Sequence, residues 1–76
     1  MTNYISALRK MGKAQRHSIA YWALNAIKYG SGSYYFGRNK GRISGFVRAL
    51  QQLEIITIEE RKAVINRAYD FINRNS

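Results

Sequence analysis

Between residues 34 and 42 the chain reads YYFGRNKGR: the aromatic rings Tyr34, Tyr35 and Phe36, then the cations Arg38, Lys40 and Arg42, on a backbone broken by glycine. That combination suits a polyanion carrying flat groups. Guanidinium and ammonium ions neutralise phosphates, aromatic rings stack on unpaired bases, and free N–H groups at a helix start accept an anion. Three consecutive aromatics cannot all face one way, so at least one is expected to pack inward, with Tyr34 and Phe36 parting from Tyr35. The competing reading has these rings patching a thin core while the cations solubilise a loop.

Little else in the chain suggests chemistry. Catalysis needs an acid, base or nucleophile held by supporting groups in a cleft, and four acids with one histidine leave few to assemble. A binding protein rather than an enzyme is therefore expected, without cofactor or metal. His17 stands on a polar helical stripe with no acid near it in sequence, which fits a solvated or phosphate-contacting side chain better than a general base. Glu59 and Glu60 are adjacent, so on a helix they point about 100° apart, and in a first turn they favour the helix dipole over metal ligation. Gly30, Gly32 and Gly37 have the look of a nucleotide loop but follow a helical pattern and lack the GK[ST] ending.

The net charge of +9 is unevenly distributed. Arg9, Lys10, Lys13, Arg16, Lys28, Arg38, Lys40, Arg42 and Arg48 all precede the first acid, Glu54, whereas Arg61, Lys62, Arg67 and Arg74 are balanced by Glu54, Glu59, Glu60 and Asp70. Uncompensated charge over two-thirds of the chain points to a polyanionic partner, nucleic acid first and an acidic protein or lipid surface second.

Apolar residues recurring at steps of three and four, with no proline, predict helices throughout. The expected architecture is all-α, a small bundle of three to four helices over about 3–11, 13–29, 42–55 and 58–74, with one long glycine, aromatic and basic loop over 30–41. A short β-ribbon through Ser33 to Phe36 is the variant reading of that loop. Thr2 or Asn3 can cap the first helix, and Gly12 ends or bends it. On the second helix Ile19, Ala20, Trp22, Ala23, Ala26 and Ile27 form the core face, with Trp22 as anchor, while His17, Tyr21, Asn25 and Lys28 line the opposite stripe. Gly30 is placed to terminate it. The third helix turns Ile43, Phe46, Val47, Leu50 and Leu53 inward and Ser44, Arg48 and Gln51 outward. Thr57 with Glu60 makes a capping box that opens the fourth helix, which buries Val64, Ile65, Ala68, Phe71 and Ile72. The short link makes the last two helices an antiparallel pair. The span ISGFVRALQQLEIITIEER, about a quarter of the chain, resembles the helical hairpins of many small phage and plasmid proteins, and that resemblance implies the hairpin without assigning any residue a role.

A chain of 76 residues fits one domain, and at this size the core alone rarely supplies more than roughly 3 to 5 kcal/mol. With no cysteine and one histidine, disulfides and the common structural zinc sites are unavailable, so a homodimer or a bound partner is the remaining support. The lack of cysteine fits a reducing cytoplasm, and no window approaches the ~18 apolar residues of a membrane span. The expected function is that of a small basic accessory or regulatory protein binding DNA or RNA through phosphate contacts and loop aromatics. Its binding surface would draw on Arg9, Lys10, Lys13, Arg16, His17, Tyr21, Lys28, Tyr34, Tyr35, Phe36, Arg38, Lys40, Arg42 and Arg48. The alternatives are a small phage or mobile-element effector that inhibits or redirects a host protein, and a structural component of a ribonucleoprotein. A helix-turn-helix is disfavoured, because the tight helix-to-helix turn leads into the charge-balanced fourth helix.

Overall fold

The computed structural model describes residues 2–76 and is all-helical: α1 (Asn3–Lys10), α2 (Lys13–Tyr29), α3 (Tyr34–Gln52) and α4 (Ile58–Arg74). Local signals set most of the boundaries. The Thr2 hydroxyl accepts the Ile5 N–H at 3.2 Å, Gly12 caps α2 while Gln15 Oε1 accepts its N–H at 2.8 Å, and Gly30 closes α2 at φ 83°. The α3–α4 link is a Schellman turn: the Glu54 N–H reaches the Gln51 carbonyl and the Ile55 N–H reaches the Leu50 carbonyl, both at 2.9 Å. Glu54 takes the left-handed position, φ 63°, that glycine usually fills. None of the helices is long and apolar enough to cross a membrane.

The expected loop over 30–41 is the main correction. Only Gly30 to Ser33 is non-helical, the Ser33 hydroxyl accepts the Tyr35 N–H at 3.1 Å, and α3 then runs straight through Gly37, Gly41 and Gly45. Each glycine costs a helix roughly 1 kcal/mol against alanine. Tertiary packing offsets that cost, because Phe36, Asn39, Ile43, Val47 and Leu50 form one continuous inward stripe that starts well before residue 42. At its other end α3 stops at Gln52, so Leu53 is a cap residue and 72 % exposed rather than core.

The α2–α3 and α3–α4 pairs pack antiparallel. Trp22 meets Phe46 edge to face at 5.3 Å and Tyr29 meets Tyr35 at 5.0 Å across α2 and α3. Arg61 donates to Gln51 at 3.0 Å near one end of the α3–α4 pair, and the Tyr69 hydroxyl donates to the Lys40 carbonyl at 2.9 Å near the other. The core lies where all four helices converge, on Ala7, Met11, Ala23, Ala26, Ile43, Val47, Leu50, Ile56, Val64 and Ile72. Phe71, read as core, is instead 47 % exposed beside an open cleft.

Glu60 is the buried polar knot. The expected capping box forms, with the Thr57 N–H on Glu60 Oε1 at 2.7 Å and the Glu60 N–H on the Thr57 hydroxyl at 3.1 Å. The same carboxylate also accepts the Ser6 hydroxyl and the Lys10 ammonium, the latter at 2.9 Å, so it ties α1 to the start of α4. The Ser6 hydrogen bond above all, then the Thr57 N–H and Lys10, hold its carboxyl down at about 2 despite burial. A depressed folded-state value means the stabilisation is fully present above the ordinary glutamate range and is lost on acidification. The thermal midpoint followed by circular dichroism should fall between about pH 4.5 and pH 2. A Glu60→Gln variant should start lower and lose that component of the pH dependence; an unchanged profile would disprove the role of this knot.

Candidate nucleic-acid interface

Two helical stripes face each other across the α2–α3 seam. Tyr21, Asn25 and Tyr29 lie four residues apart on α2, and Tyr35, Arg38, Asn39 and Arg42 follow at steps of three, one and three on α3. Together they line an open groove of about 230 Å³. Ring contacts build one wall: Tyr35 lies 5.0 Å from Tyr29 and 5.5 Å, edge to face, from Tyr34. Cations overhang it, with Lys28 Nζ 5.9 Å from the Tyr29 ring, Arg38 6.0 Å from the Tyr34 ring, and an Arg38 N–H on the Tyr34 hydroxyl at 3.0 Å. No acid lines the groove, and the Arg42 guanidinium is exposed and makes no hydrogen bond or ion pair among the described residues.

Beside this groove the outward face of α3 is bare backbone. Gly37, Gly41 and Gly45 recur one turn apart, and a Cβ on any of them would meet nothing of this chain within 4 Å. The fold does not require glycine there, and its effect is to let another molecule approach the helix backbone between Arg38 and Arg42 on one flank and Arg48 on the other.

The sequence-derived site residues divide into distinct groups. Tyr21, Tyr34, Tyr35, Arg38 and Arg42, with Lys28 at the edge, gather around the groove. Arg48 and His17 are exposed on the same two helices. Phe36 and Lys40 belong elsewhere: Lys40 Nζ lies 4.9 Å from the Phe36 ring and 4.8 Å from the Tyr69 ring, and donates to Asn73 at 3.3 Å, all facing α4. Phe36 alone therefore leaves the aromatic run, and Tyr34 stays with Tyr35. Arg9, Lys10, Lys13 and Arg16 are carried by α1 and the first turn of α2, outside the groove lining. Among these Lys10 is engaged by Glu60.

No family model, curated protein or solved structure matches this chain.

Asn25, Tyr29 and Asn39 complete the groove and were not among the expected binding residues, although Asn25 stood on the expected exposed stripe of the second helix. The signal for Tyr29 was present in the four-residue steps from Tyr21, although Lys28 fits the same stripe nearly as well. Asn39 was hidden because it sits in the stretch read as loop. It is buried, and its amide donates to the Tyr35 carbonyl at 2.8 Å, bracing the ring that forms the groove wall.

A second concavity has different chemistry. Leu8, Ala20, Leu24, Phe71 and their neighbours from α1, α2 and α4 form a mostly apolar cleft of about 450 Å³, with Arg16 and Arg67 among its lining and no acid. Arg67 is held 4.9 Å over the Tyr4 ring.

Proposed function

We propose that this protein is a non-enzymatic nucleic-acid-binding accessory protein of a reducing cytoplasm, and that the α2–α3 groove with the glycine face of α3 is its interface. The observation that carries this reading is the groove itself, where tyrosine rings, an unpaired Arg42 and the braced Arg38 converge without any carboxylate. Tyrosines offer stacking faces, the arginines neutralise phosphates, and the exposed glycines allow a sugar–phosphate chain to lie close to α3. The +9 charge steers such a ligand inward from a distance.

Anisotropy titrations of labelled DNA and RNA at several salt concentrations test the reading. Affinity should fall linearly on a log–log plot, by about −0.9 per phosphate contacted on duplex and about −0.7 on single strands. Absence of binding to every strand at ~50 mM salt would refute it.

The apolar cleft favours a second reading, that of an effector docking on a host protein. A rim of Arg16 and Arg67 around apolar walls is complementary to an amphipathic helix flanked by carboxylates, whereas a second copy of this basic chain would bring like charges together. Selection from a randomised helical peptide library would then enrich leucine-rich acidic sequences whose binding is lost on Arg16→Glu, Arg67→Glu. Enrichment of basic peptides would rule that reading out.

A further inference from the structure

We propose that the α2–α3 groove receives an unpaired nucleobase whose edge is read by Asn25, so that the protein selects single-stranded nucleic acid over duplex. This rests on the nucleic-acid reading above and adds the class of ligand and the residue that inspects it.

Asn25 lies between Tyr21 and Tyr29 on the α2 wall of the groove. It is half-buried, yet among the described residues its carboxamide makes no hydrogen bond and no side-chain polar atom is sealed away without a partner, so the amide is open to the groove it lines. Asn39 across the groove differs, because its amide is committed to the Tyr35 carbonyl. A primary amide presents donors beside an acceptor, the pattern that pairs in bidentate fashion with a base edge such as that of adenine. Among the described residues no ring stacks on Tyr21, which is 58 % exposed, and the Tyr29–Tyr35 pair lines the groove two turns further along α2. A base entering beside Asn25 can stack on a tyrosine face while the amide meets its edge.

A duplex cannot use this arrangement. Paired bases show only their edges in the grooves, and their faces are covered by neighbouring base pairs, so tyrosine stacking requires a base out of the stack. Arg38 and Arg42, one helical turn or about 6 Å apart along α3, are spaced to meet the phosphates flanking such a base. Base recognition and phosphate contact are thereby assigned to different side chains, which makes them separable by substitution.

The test uses the full chain and fluorescein-labelled 12-nucleotide homopolymers of dA, dT and dC, a mixed-sequence strand and its duplex, by anisotropy at ~50 mM salt. The expected result is single-strand binding at least tenfold tighter than duplex, with a best-to-worst homopolymer ratio of about fivefold or more. Tyr21→Ala should weaken single-strand binding about 5- to 100-fold with the salt slope unchanged, and Tyr21→Trp should restore it. Asn25→Ala should equalise the homopolymers while retaining the slope. Because Tyr21 projects into solvent, its variants test stacking even if Asn25→Ala perturbs folding. Duplex bound as tightly as single strands, or single-strand binding indifferent to both Tyr21 and Asn25, would overturn this inference and leave the broader nucleic-acid reading standing. Binding to neither form would bring down that broader reading as well.

Discussion

Replacing Arg38, Arg42 and Arg48 together by glutamine is expected to weaken nucleic-acid binding by roughly 100-fold at ~0.1 M salt and to flatten the salt slope by about 2 to 3. The magnitude follows from counterion release, which at this salt makes each lost phosphate contact worth about a factor of five. All three side chains are exposed on α3, and within the fold Arg38 gives up a surface hydrogen bond to the Tyr34 hydroxyl and its place over the same ring, so the thermal midpoint should barely move. Lys40 is deliberately left in place, because its ammonium sits over Phe36 and Tyr69 and its removal would loosen the α3–α4 contact. The control is Arg61, Lys62 and Arg67, which face Gln51, Glu59 and Tyr4; their replacement should change binding little. If the control set abolished binding and the α3 set did not, the interface would lie on α4.

The choice of that triple already reflects what sequence could and could not convey. Signals carried by nearest neighbours were legible: Gly12 marks the α1–α2 junction, as the cap that opens α2, Gly30 ends α2, and Thr57 with Glu60 forms the capping box its spacing implied. What failed was the inference that several glycines in a row of polar and aromatic residues break a helix. Helical propensity is a weak prior, and the stripe Phe36–Asn39–Ile43 supplies burial that outweighs it. An asparagine in the middle of that stripe masked the periodicity, since its burial depends on a hydrogen bond to Tyr35 that only the folded helix makes possible.

The partition of the cations was equally illegible, for a different reason. Lys10 and Glu60 stand 50 residues apart and Ser6 and Glu60 stand 54 apart, so nothing local marks Lys10 as engaged while Arg42 stays free. Charge asymmetry separates the uncompensated two-thirds of the chain from the balanced remainder but does not say which cations share a face. Tyr21 and Asn25 were visible as a stripe on the second helix, whereas Tyr35, Arg38 and Asn39 stood in the stretch read as a loop; their convergence into one groove is a product of antiparallel α2–α3 packing.

Truncation of the side chain on which that packing turns should have the largest effect on stability. Ile43 is fully buried on the inner face of α3, opposite the face bearing Gly41 and Gly45, and Ile→Ala at such a site costs about 2 to 5 kcal/mol. A core of this size rarely supplies more than roughly 3 to 5 kcal/mol in all, so Ile43→Ala is expected to leave much of the protein unfolded at 37 °C and to abolish binding without touching a binding residue. Urea unfolding at low temperature measures the loss directly. Gly41→Ala with Gly45→Ala should act in the opposite direction: the new methyl groups meet no atom of the chain, both positions lie in regular helix, and each substitution should add about 0.5 to 1 kcal/mol. Combined with Ile43→Ala, the pair should raise the urea midpoint part of the way back towards the parent protein. If binding of nucleic acid nevertheless stays weak in the refolded triple variant, the bare glycine backbone is itself needed at the interface; if Ile43→Ala leaves the midpoint unchanged, α3 is not packed through this stripe and the groove has lost its foundation.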